Sequence, residues 1–193
     1  MIINLIRHGQ SVLQEQKRYQ GFLDSPLSER GRSMLKKADF EPEKVYVSPM
    51  LRARETARIL FPSARQIAVP DLKEMNFGAF EGKTLAELEG DPAYRQWVDG
   101  MCLGRCPGGE SKDEYCARVC EAFSKIVIEA GVNGETEAVI VAHGGTQMAV
   151  LERFSGIGKE YYKWQLPVGQ GYRLLAEDWK RRKQLEILEV RDY

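Results

Sequence analysis

The sequence predicts an α/β fold, a three-layer α/β/α sandwich built on a mainly parallel central sheet with a small cap insertion. Short apolar runs bounded by glycine, proline or polar residues alternate with amphipathic stretches, as in strand–helix–strand units. The runs lack polar alternation, which is typical of strands covered by helices on both faces. A chain of 193 residues, 43% of them hydrophobic, has the size of one domain. We therefore predict a single domain over 1–193 with right-handed crossovers.

The first half of the chain contains three predicted strands and two predicted helices. In order they lie at 2–6 (strand), 28–38 (helix), 45–47 (strand), 50–60 (helix) and 67–69 (strand). Ser48 before Pro49 predicts the start of the second helix, because serine favours the N-cap and proline the first turn. Arg52 then falls within that first turn.

Residues 75–110 interrupt this alternation with many glycines and aromatic side chains. Such a composition is typical of a loop-rich insertion near a binding site. We predict that this segment forms a cap over the sheet edge and narrows the entrance. Thr84 with Glu87 and Ser111 with Glu114 have the spacing of capping boxes, so they mark two helix starts.

The second half continues with a long helix, a buried strand and a further helix. After Ser111 the apolar residues fall on one helical face, and Gly131 is placed to end the helix. Residues 138–142, AVIVA, form the most strand-like run, and a helical stretch over 146–155 follows. The C-terminal segments around 180–183 predict two strands joined by a solvated turn.

The composition excludes several classes of partner. Lys plus Arg and Asp plus Glu number 28 each, so no net charge draws the protein to nucleic acid or to an anionic membrane. No apolar run approaches the roughly 20 residues of a membrane span, and the start MIINLIRHGQ lacks the features of a secretory signal. We therefore expect a cytoplasmic protein that binds neither nucleic acid nor membrane.

The cysteines favour reduced thiols over a metal site or a disulfide. They form two pairs spaced i, i+4, which is wider than the spacing of most structural zinc sites, and nothing marks an oxidising compartment. The four residues are Cys102, Cys106, Cys116 and Cys120.

The only two histidines occupy equivalent positions. His8 and His143 each follow an apolar strand-like run and precede glycine, in LIRHG and IVAHG. Glycine makes up 18 of the 193 residues, so two such placements by chance are rare. Ligands of parallel sheets bind beyond the carboxyl ends of the strands, where both imidazoles should meet.

Two arginines are predicted at the same edge. Arg7 adjoins His8, and Arg52 follows the strand at 45–47 on the first turn of a helix, where its side chain leans back toward the helix start. Guanidinium groups are planar, permanently charged donors that suit phosphate oxygens. Two arginines and two imidazoles predict a phosphate cradle at the rim of the sheet.

Further motifs extend along the whole chain. They are LIRHGQS at 5–11, RYQGFLDSPLSERG at 18–31, VSPMLRARETA at 47–57, LKEMNFGAFEG at 72–82, PGGES at 107–111 and VIVAHGG at 139–145. Through these motifs the chain resembles, nearly end to end, the histidine phosphatase superfamily in its phosphoglycerate-mutase-like branch. Several ordered motifs carry this resemblance, which RHG alone would not.

The resemblance implies a phosphoryl-transfer site. It assigns the nucleophile to His8 and contacts with the transferring phosphoryl group to Arg7, Arg52 and His143. A neutral imidazole is a good nucleophile near pH 7, and a phosphohistidine divides one slow hydrolysis into two displacements. The arginines would neutralise the phosphoryl oxygens, so we expect neither a metal nor a cofactor.

The resemblance also assigns a proton donor, Glu74, for the leaving oxygen. Its carboxyl must be protonated in the first displacement and ionised to activate water in the second. Glu81, which lies nearby in the FEG sequence, stays open as the alternative acid.

Four further residues are assigned to phosphate binding. They are Ser11, Gln14, Gly21 and Gly144. Ser11 and the backbone N–H of Gly144 would donate to phosphate oxygens. Gln14 departs from the family pattern, which has asparagine there; glutamine keeps the amide and adds a methylene.

Within the family that the chain resembles, the mutases are longer chains with extra segments that bind a second anionic group. The length of this chain therefore favours a phosphatase. The cap is similar to that of α-ribazole-phosphate phosphatases of cobalamin assembly and of broad-specificity phosphatases. Phe77, Tyr94 and Trp97 of the cap would stack on a flat base.

Three aromatic residues after the last long helix are expected to pack in the core or at its rim: Tyr161, Tyr162 and Trp164.

Two alternatives stay open. A phosphoglycerate mutase would interconvert 2- and 3-phosphoglycerate, and a non-catalytic module would bind a phosphoprotein or nucleotide without turnover. In the favoured reading the partner is a small-molecule phosphomonoester. The oligomeric state is open, with a homodimer among the alternatives.

Overall fold

The computed structural model describes residues 1–193 and contains one six-stranded sheet. The strands are β1 (Ile2–Arg7), β2 (Lys44–Val47), β3 (Arg65–Ala68), β4 (Glu137–Ala142), β5 (Gln170–Leu175) and β6 (Glu186–Asp192). Their order is β3-β2-β4-β1-β5-β6, in which β3, β2, β4 and β1 pair in parallel and β5 and β6 pair antiparallel. The predicted mainly parallel sheet is confirmed, and its two antiparallel pairs involve the C-terminal strands.

Eight helices surround the sheet. They are α1 (Val12–Glu15), α2 (Glu29–Met34), α3 (Leu51–Leu60), α4 (Leu85–Leu88), α5 (Pro92–Asp99), α6 (Lys112–Val132), α7 (Gly144–Phe154) and α8 (Trp179–Arg182). Short 3₁₀ turns lie at Pro70–Leu72, Gly78–Phe80 and Tyr161–Trp164. None of the helices combines the length and the hydropathy that a bilayer crossing requires.

The two faces of the sheet bury separate cores, which gives the predicted three layers. Leu5 and Ile140 belong to a cluster of 31 buried residues that includes the apolar sides of α6 and α7. Ile6 and Val141, their neighbours along the strands, point the opposite way into a cluster of 11 that includes α3. Successive side chains of a strand face opposite sides, so strands buried on both faces must be apolar throughout.

The register of the sheet places three functional residues side by side. Arg7 pairs with Ala142, and Val47 pairs with Val141, so β1, β2 and β4 end at one edge. Two backbone hydrogen bonds extend the ladders by one residue: His8 N–H donates to Ala142 at 3.0 Å and Ser48 N–H donates to Val141 at 3.0 Å. His8, Ser48 and His143 therefore follow three adjacent strands.

Ser48 is not the N-cap that the sequence predicted. The helix begins at Leu51, and its N-cap is Met50, which makes no side-chain cap hydrogen bond. Met50 has extended backbone angles, so the chain turns into the helix only after the serine, which is then too far from the first free helical amides. The Ser48 hydroxyl instead contacts His143.

Other helix boundaries are corrected or confirmed. The helix predicted over 28–38 ends at Met34, because Leu35 turns to extended angles and enters the core. Gly131 does not end α6; the left-handed residue that follows the helix is Gly134, with φ +72°. The solvated turn predicted around 180–183 is the short helix α8, whose Trp179 is buried. Both predicted capping boxes are confirmed.

The cap segment 75–110 contains the 3₁₀ turn Gly78–Phe80 and the helices α4 and α5. Edge-to-face and tilted aromatic contacts hold it together, with ring centroids 5.3–6.2 Å apart. The rings involved belong to Phe77, Phe80, Tyr94 and Trp97. Tyr19 joins this cluster from outside the cap, with its centroid 5.5 Å from that of Phe77.

Candidate active site

The two histidine rings lie next to each other at the end of the parallel strands. Their centroids are 5.1 Å apart and their planes are inclined at 70°. Each comes from a strand-to-helix or strand-to-loop junction of the same sheet edge, as the sequence predicted. His8 is only 2% exposed and His143 is fully buried, so they form a buried polar pair, not the exposed rim that strand-end placement suggested.

The contacts of His8 fix which ring nitrogen carries a lone pair. Nδ1 lies 2.7 Å from the Gly9 carbonyl oxygen, which can only accept, so Nδ1 carries the proton. Arg52 Nε donates to His8 Nε2 at 3.3 Å, which requires a lone pair there. Burial lowers the pKa of His8 well below 6.5, and the charges of Arg52 and Arg7 add to this effect. His8 is therefore neutral, with Nε2 in the state of a nucleophile.

His143 has a different set of contacts. Its Nε2 lies 2.8 Å from the Ser48 hydroxyl oxygen, and its Nδ1 is buried without a partner in the protein. Burial lowers the pKa of His143 well below 6.5, and the positive charge of Arg52 contributes in the same direction. This ring is also neutral and presents one unpaired nitrogen.

Both predicted arginines reach this pair. Arg7 Nη1 donates to the Leu166 carbonyl, and Arg52 Nη2 donates to the Gly21 carbonyl at 3.0 Å. Burial lowers the pKa of each guanidinium, and the nearby charge of Glu74 opposes that shift. Since a guanidinium keeps its proton in proteins, each remains a fixed positive charge.

Three buried nitrogens of this cluster have no hydrogen-bond partner in the protein. They are Arg7 Nε, Arg52 Nη1 and His143 Nδ1. Buried polar groups are almost always paired, because an unpaired donor keeps its full desolvation cost. Three such nitrogens beside a neutral imidazole are suited to the oxygens of a tetrahedral oxyanion.

The two candidate acids, Glu74 and Glu81, occupy different environments. Glu74 lines the cavity described below; its Oε1 accepts from Met75 N–H at 3.0 Å and its Oε2 accepts from Gly145 N–H at 3.4 Å. Glu81 is occupied by backbone amides: its carboxylate accepts from Phe22 at 2.7 Å, from Phe77 at 3.0 Å and from Leu23. The geometry thus leaves Glu74 available for chemistry and gives Glu81 the task of joining the cap to the 18–31 loop.

An ion pair that the sequence did not single out supports the Glu74 loop. Arg118 on α6 forms a bidentate pair with Glu110 at 2.9 and 2.7 Å. The same guanidinium donates to the carbonyls of Asp71 at 2.8 Å, Lys73 at 3.0 Å and Glu74 at 3.4 Å. Glu110 lies in the PGGES motif, which was the available signal. No sequence signal pointed to Arg118, because the Glu74 loop that it contacts is about 44 residues away along the chain.

Ser11 and Gln14 form a helix cap. The Ser11 hydroxyl accepts from Gln14 N–H at 3.3 Å and is hydrogen-bonded to Gln20, and Gln14 Oε1 accepts from Ser11 N–H at 3.1 Å. Gln14 and Gln20 line the cavity, whereas Ser11 is fully buried. The capping box explains why glutamine suits position 14, since its oxygen returns to the N-cap amide.

The two predicted glycines permit close approaches. A side chain at Gly21 would collide with the Met75 carbonyl and the Glu81 carboxylate. A Cβ at Gly144 would lie 3.1 Å from the Arg7 guanidinium, so this residue brings the start of α7 against that charge. Both glycines are part of the site through their backbone, Gly21 as the acceptor of Arg52.

A cavity of about 340 Å³ opens beside the cluster. Its polar wall contains Arg7, Glu74 and Gly144, while His8, His143 and Arg52 are not among its lining residues. The aromatic wall is formed by Tyr19, Phe77, Trp97, Tyr161 and Tyr162. The cavity therefore has a charged wall next to the histidine pair and an aromatic wall.

Three aromatic predictions need revision. Tyr94 does not line the cavity; it is 4% exposed, and its hydroxyl lies 2.7 Å from that of Tyr19. Tyr19 takes its place on the wall, a residue that lies in a matched motif but was not selected. Tyr161 and Tyr162 line the cavity as well as pack, whereas Trp164 is a core residue.

The two buried histidines predict a loss of stability in mild acid. Their native pKa lies below the ordinary value of 6.5, so the unfolded chain binds protons first as the pH falls through that value. Their contribution is complete above pH 6.5 and declines below it, by up to about 1.4 kcal/mol per pH unit for each histidine. Urea unfolding at several pH values measures this slope, and His143→Ala should reduce it. A free energy of unfolding that stays flat below pH 6.5 would contradict the assignment.

Comparison with known proteins agrees with this geometry. The family model of the histidine phosphatase superfamily (branch 1) matches residues 3–185. A 2,3-bisphosphoglycerate-dependent phosphoglycerate mutase 2 of Gloeobacter violaceus is 32% identical over 178 residues, covering 82% of this chain and 78% of that protein. A Hydrogenobacter thermophilus protein provisionally named phosphoserine phosphatase 2 is 34% identical over 166 residues, covering 81% of this chain and 79% of that protein.

A solved structure shares the fold over the full length. The α-ribazole phosphatase from Shigella flexneri superposes with a TM-score of 0.82 and 23% identity, covering 100% of this chain and 96% of that chain. The family match spans all six motifs, both histidines and both arginines. The chain belongs to the histidine phosphatase superfamily, branch 1.

Proposed function

We propose that the protein is a phosphomonoester hydrolase that forms a phosphohistidine at His8 Nε2. The observation that carries this proposal is the neutral His8 ring, with its lone pair on Nε2, beside three buried nitrogens that lack partners. The superfamily relatives include one named a phosphoglycerate mutase and one provisionally named a phosphoserine phosphatase, and transfer of a phosphoryl group to His8 would begin either reaction.

The proposed reaction has two displacements. In the first, the Nε2 lone pair attacks phosphorus, the ester P–O bond breaks, and Glu74 gives its proton to the leaving oxygen. In the second, ionised Glu74 takes a proton from water, the water oxygen attacks phosphorus, and the P–N bond breaks with its electron pair returning to His8. The products are the alcohol and inorganic phosphate, and both Glu74 and His8 return to their starting states.

Fixed positive charges stabilise both displacements. Arg52 is buried and Arg7 is partly buried with a buried Nε, so their charges act at reduced dielectric on oxygens that gain negative charge in the transition state. Preorganised donors of this kind serve the purpose that magnesium partly serves in other phosphoryl-transfer enzymes. The proposed mechanism therefore needs no divalent cation.

The cavity favours a phosphatase over a mutase. A mutase must also hold the second anionic groups of a bisphosphorylated primer. The two other cations on the cavity wall are already paired, Arg18 with Glu87 at 2.8 Å and Lys112 with Glu152 at 2.8 Å. Arg95 and Arg105 of the cap do not line the cavity. Few unpaired positive charges are thus available beyond the phosphate end.

The aromatic wall favours a substrate with a flat ring. Tyr19, Phe77 and Trp97 meet edge to face, and all three line the cavity. Aromatic side chains stack on planar bases, whichever base it is, because every base has a π-face. We propose α-ribazole 5′-phosphate as the substrate, with other small phosphomonoesters as weaker ones.

A phosphatase screen in the presence of EDTA tests reaction type, substrate and metal independence together. We expect hydrolysis of p-nitrophenyl phosphate that EDTA does not change, and the highest kcat/KM for α-ribazole 5′-phosphate. Interconversion of 2- and 3-phosphoglycerate without phosphate release would establish the mutase instead. Phosphate binding with no turnover of any ester would leave the non-catalytic module. Equal rates on α-ribazole 5′-phosphate and aliphatic esters would remove the substrate assignment.

Arg52→Ala should lose about 3–4 kcal/mol of transition-state stabilisation, a factor of about 10²–10³ in kcat/KM. The substitution removes the buried donor at Nη1 and the contact with His8 Nε2. Arg54, exposed on the same helix, supplies the matched control Arg54→Ala. Steady-state kinetics with both variants checks the prediction, and equal activity in the two would contradict it. A circular dichroism spectrum of Arg52→Ala that matches the wild type would show that the variant is folded and that its lower activity reflects the missing guanidinium.

A further inference from the structure

We propose that Ser48 is a positioning residue that holds His143 in its Nδ1–H tautomer, so that His143 donates a hydrogen bond to the transferring phosphoryl group. This inference rests on the proposed function, because it assumes that His143 contacts phosphate. It adds a residue to the site for which the sequence predicted a different role, that of a helix cap.

The position of the Ser48 hydroxyl is fixed by the sheet. Ser48 N–H donates to Val141 at 3.0 Å, which continues the β2–β4 ladder, and Pro49 follows directly. Serine and histidine are both fully buried, and their side chains meet at 2.8 Å across 95 residues of chain. Since the backbone on each side belongs to a ladder of the same sheet, the contact is rigid.

The direction of this hydrogen bond follows from the second contact of the hydroxyl. Met50 N–H donates to Ser48 Oγ at 3.4 Å, so the oxygen accepts there and its single hydrogen is free for another acceptor. The remaining neighbour is His143 Nε2. The oxygen keeps a second lone pair, but an Nε2–H donating to it would leave the buried hydroxyl hydrogen without an acceptor, whereas donation to Nε2 pairs that hydrogen. We therefore place the lone pair of this contact on Nε2.

The proton of His143 then lies on Nδ1. A neutral imidazole carries one proton, and burial together with the Arg52 charge keeps the ring neutral by lowering its pKa. Nδ1 is buried and has no acceptor in the protein, although the ring stands 5.1 Å from that of His8. An N–H in this place is a donor prepared for a phosphoryl oxygen.

The opposite tautomer would reverse the interaction. With the proton on Nε2, Nδ1 would turn a lone pair toward the negative oxygens of the phosphoryl group, and the contact would be repulsive. His8 shows how different partners assign different tasks to like rings: its Nδ1–H binds a carbonyl, which frees Nε2 as the nucleophile. A carbonyl beside one ring and a hydroxyl beside the other thus separate the nucleophile from the donor.

Nitrogen NMR of ¹⁵N-histidine protein tests the tautomer directly. The chain has two histidines, so only two ring systems contribute to the spectrum, and His143→Ala assigns them. We expect both rings as Nδ1–H in the wild type. Ser48→Thr keeps the hydroxyl and should preserve this state, whereas Ser48→Val, which has the shape of the threonine variant without the hydroxyl, should lower the Nδ1–H population of His143 alone. A wild-type His143 protonated on Nε2, or a tautomer that Ser48→Val leaves unchanged, would overturn the proposal.

Kinetics supplies the functional readout. Loss of a partner that orients an active-site imidazole costs about 10–100-fold elsewhere, so Ser48→Val and Ser48→Ala should lower kcat by about that factor while Ser48→Thr stays near wild type. Ser155→Ala removes a buried serine beyond the other end of α7 and should leave kcat unchanged. A wild type with the predicted tautomer and no phosphatase activity would defeat the proposed function and not the tautomer assignment. A wild-type kcat in Ser48→Val would defeat the role of Ser48 alone.

Discussion

Replacing His8 with alanine should abolish turnover, by about 10⁶-fold, which is the order of loss when the nucleophile of a covalent hydrolase is removed. The variant keeps Arg7, His143 and Glu74, so it should still bind phosphate or vanadate. Its Nε2 lone pair is gone, and the remaining histidine, His143, cannot replace it because the Nε2 of that ring is paired with the Ser48 hydroxyl. Single-turnover kinetics with p-nitrophenyl phosphate measures the loss.

The covalent intermediate gives a second readout of the same prediction. Wild-type protein quenched during turnover of a ³²P-labelled ester should carry acid-labile, base-stable label, as a phosphoramidate does, and His8→Ala should carry none. Unchanged activity or unchanged labelling in the variant would end the proposed mechanism. Folding is checked separately: His8 is buried with two hydrogen bonds, so a destabilisation of about 1–3 kcal/mol is expected, well short of the total for a domain.

The sequence could predict where the site lies because parallel strands carry a local signal. Strands buried on both faces read as uninterrupted apolar runs, and their carboxyl ends share an edge. The residue after each run, His8 or His143, could therefore be placed without coordinates. The two rings do meet at that edge, with centroids 5.1 Å apart, whereas the order of the strands was not predicted and comes from the structure.

Other features depend on contacts between distant segments, which no local pattern reports. Ser48 looked like a helix cap because its neighbours fit one; the backbone angles of Met50, set by packing, decide otherwise. The burial of His8 was not predicted either, because its ring contacts a distant segment: Arg52 Nε, 44 residues away in sequence, donates to its Nε2. For the same reason Tyr94 was predicted on the cavity wall, whereas the residue that lines it is Tyr19, whose hydroxyl contacts that of Tyr94.

The choice between Glu74 and Glu81 shows the limit most clearly. Both follow the 67–69 segment, and both are carboxylates in the same motif, LKEMNFGAFEG at 72–82. Composition and spacing treat them alike. The fold distinguishes them: Glu81 accepts from three backbone amides and does not line the cavity, whereas Glu74 accepts from two and lies on the cavity wall. Their roles are therefore separated by hydrogen bonding, and a matched pair of amide substitutions can test the difference.

Glu74→Gln should lower kcat/KM for an alkyl phosphomonoester by about 10²–10⁴-fold, the usual worth of general acid–base catalysis. Glutamine keeps the shape of the side chain and cannot deliver or accept the proton. p-Nitrophenyl phosphate, whose leaving group is stable as an anion, should lose much less in the first displacement. The second displacement still lacks its base, so the variant should release a burst of p-nitrophenol equal to the enzyme concentration and accumulate phosphohistidine.

Glu81→Gln is the control, and its effect should fall on stability. The carboxylate accepts hydrogen bonds from backbone N–H groups, and the NH₂ of glutamine cannot accept them. We therefore expect the free energy of unfolding to fall by about 1–3 kcal/mol, with kcat near wild type. Urea unfolding and burst kinetics on both variants separate the two roles. If Glu81→Gln showed the burst and Glu74→Gln did not, the acid would be Glu81, and the amides that hold its carboxylate in the free protein would have to release it during turnover.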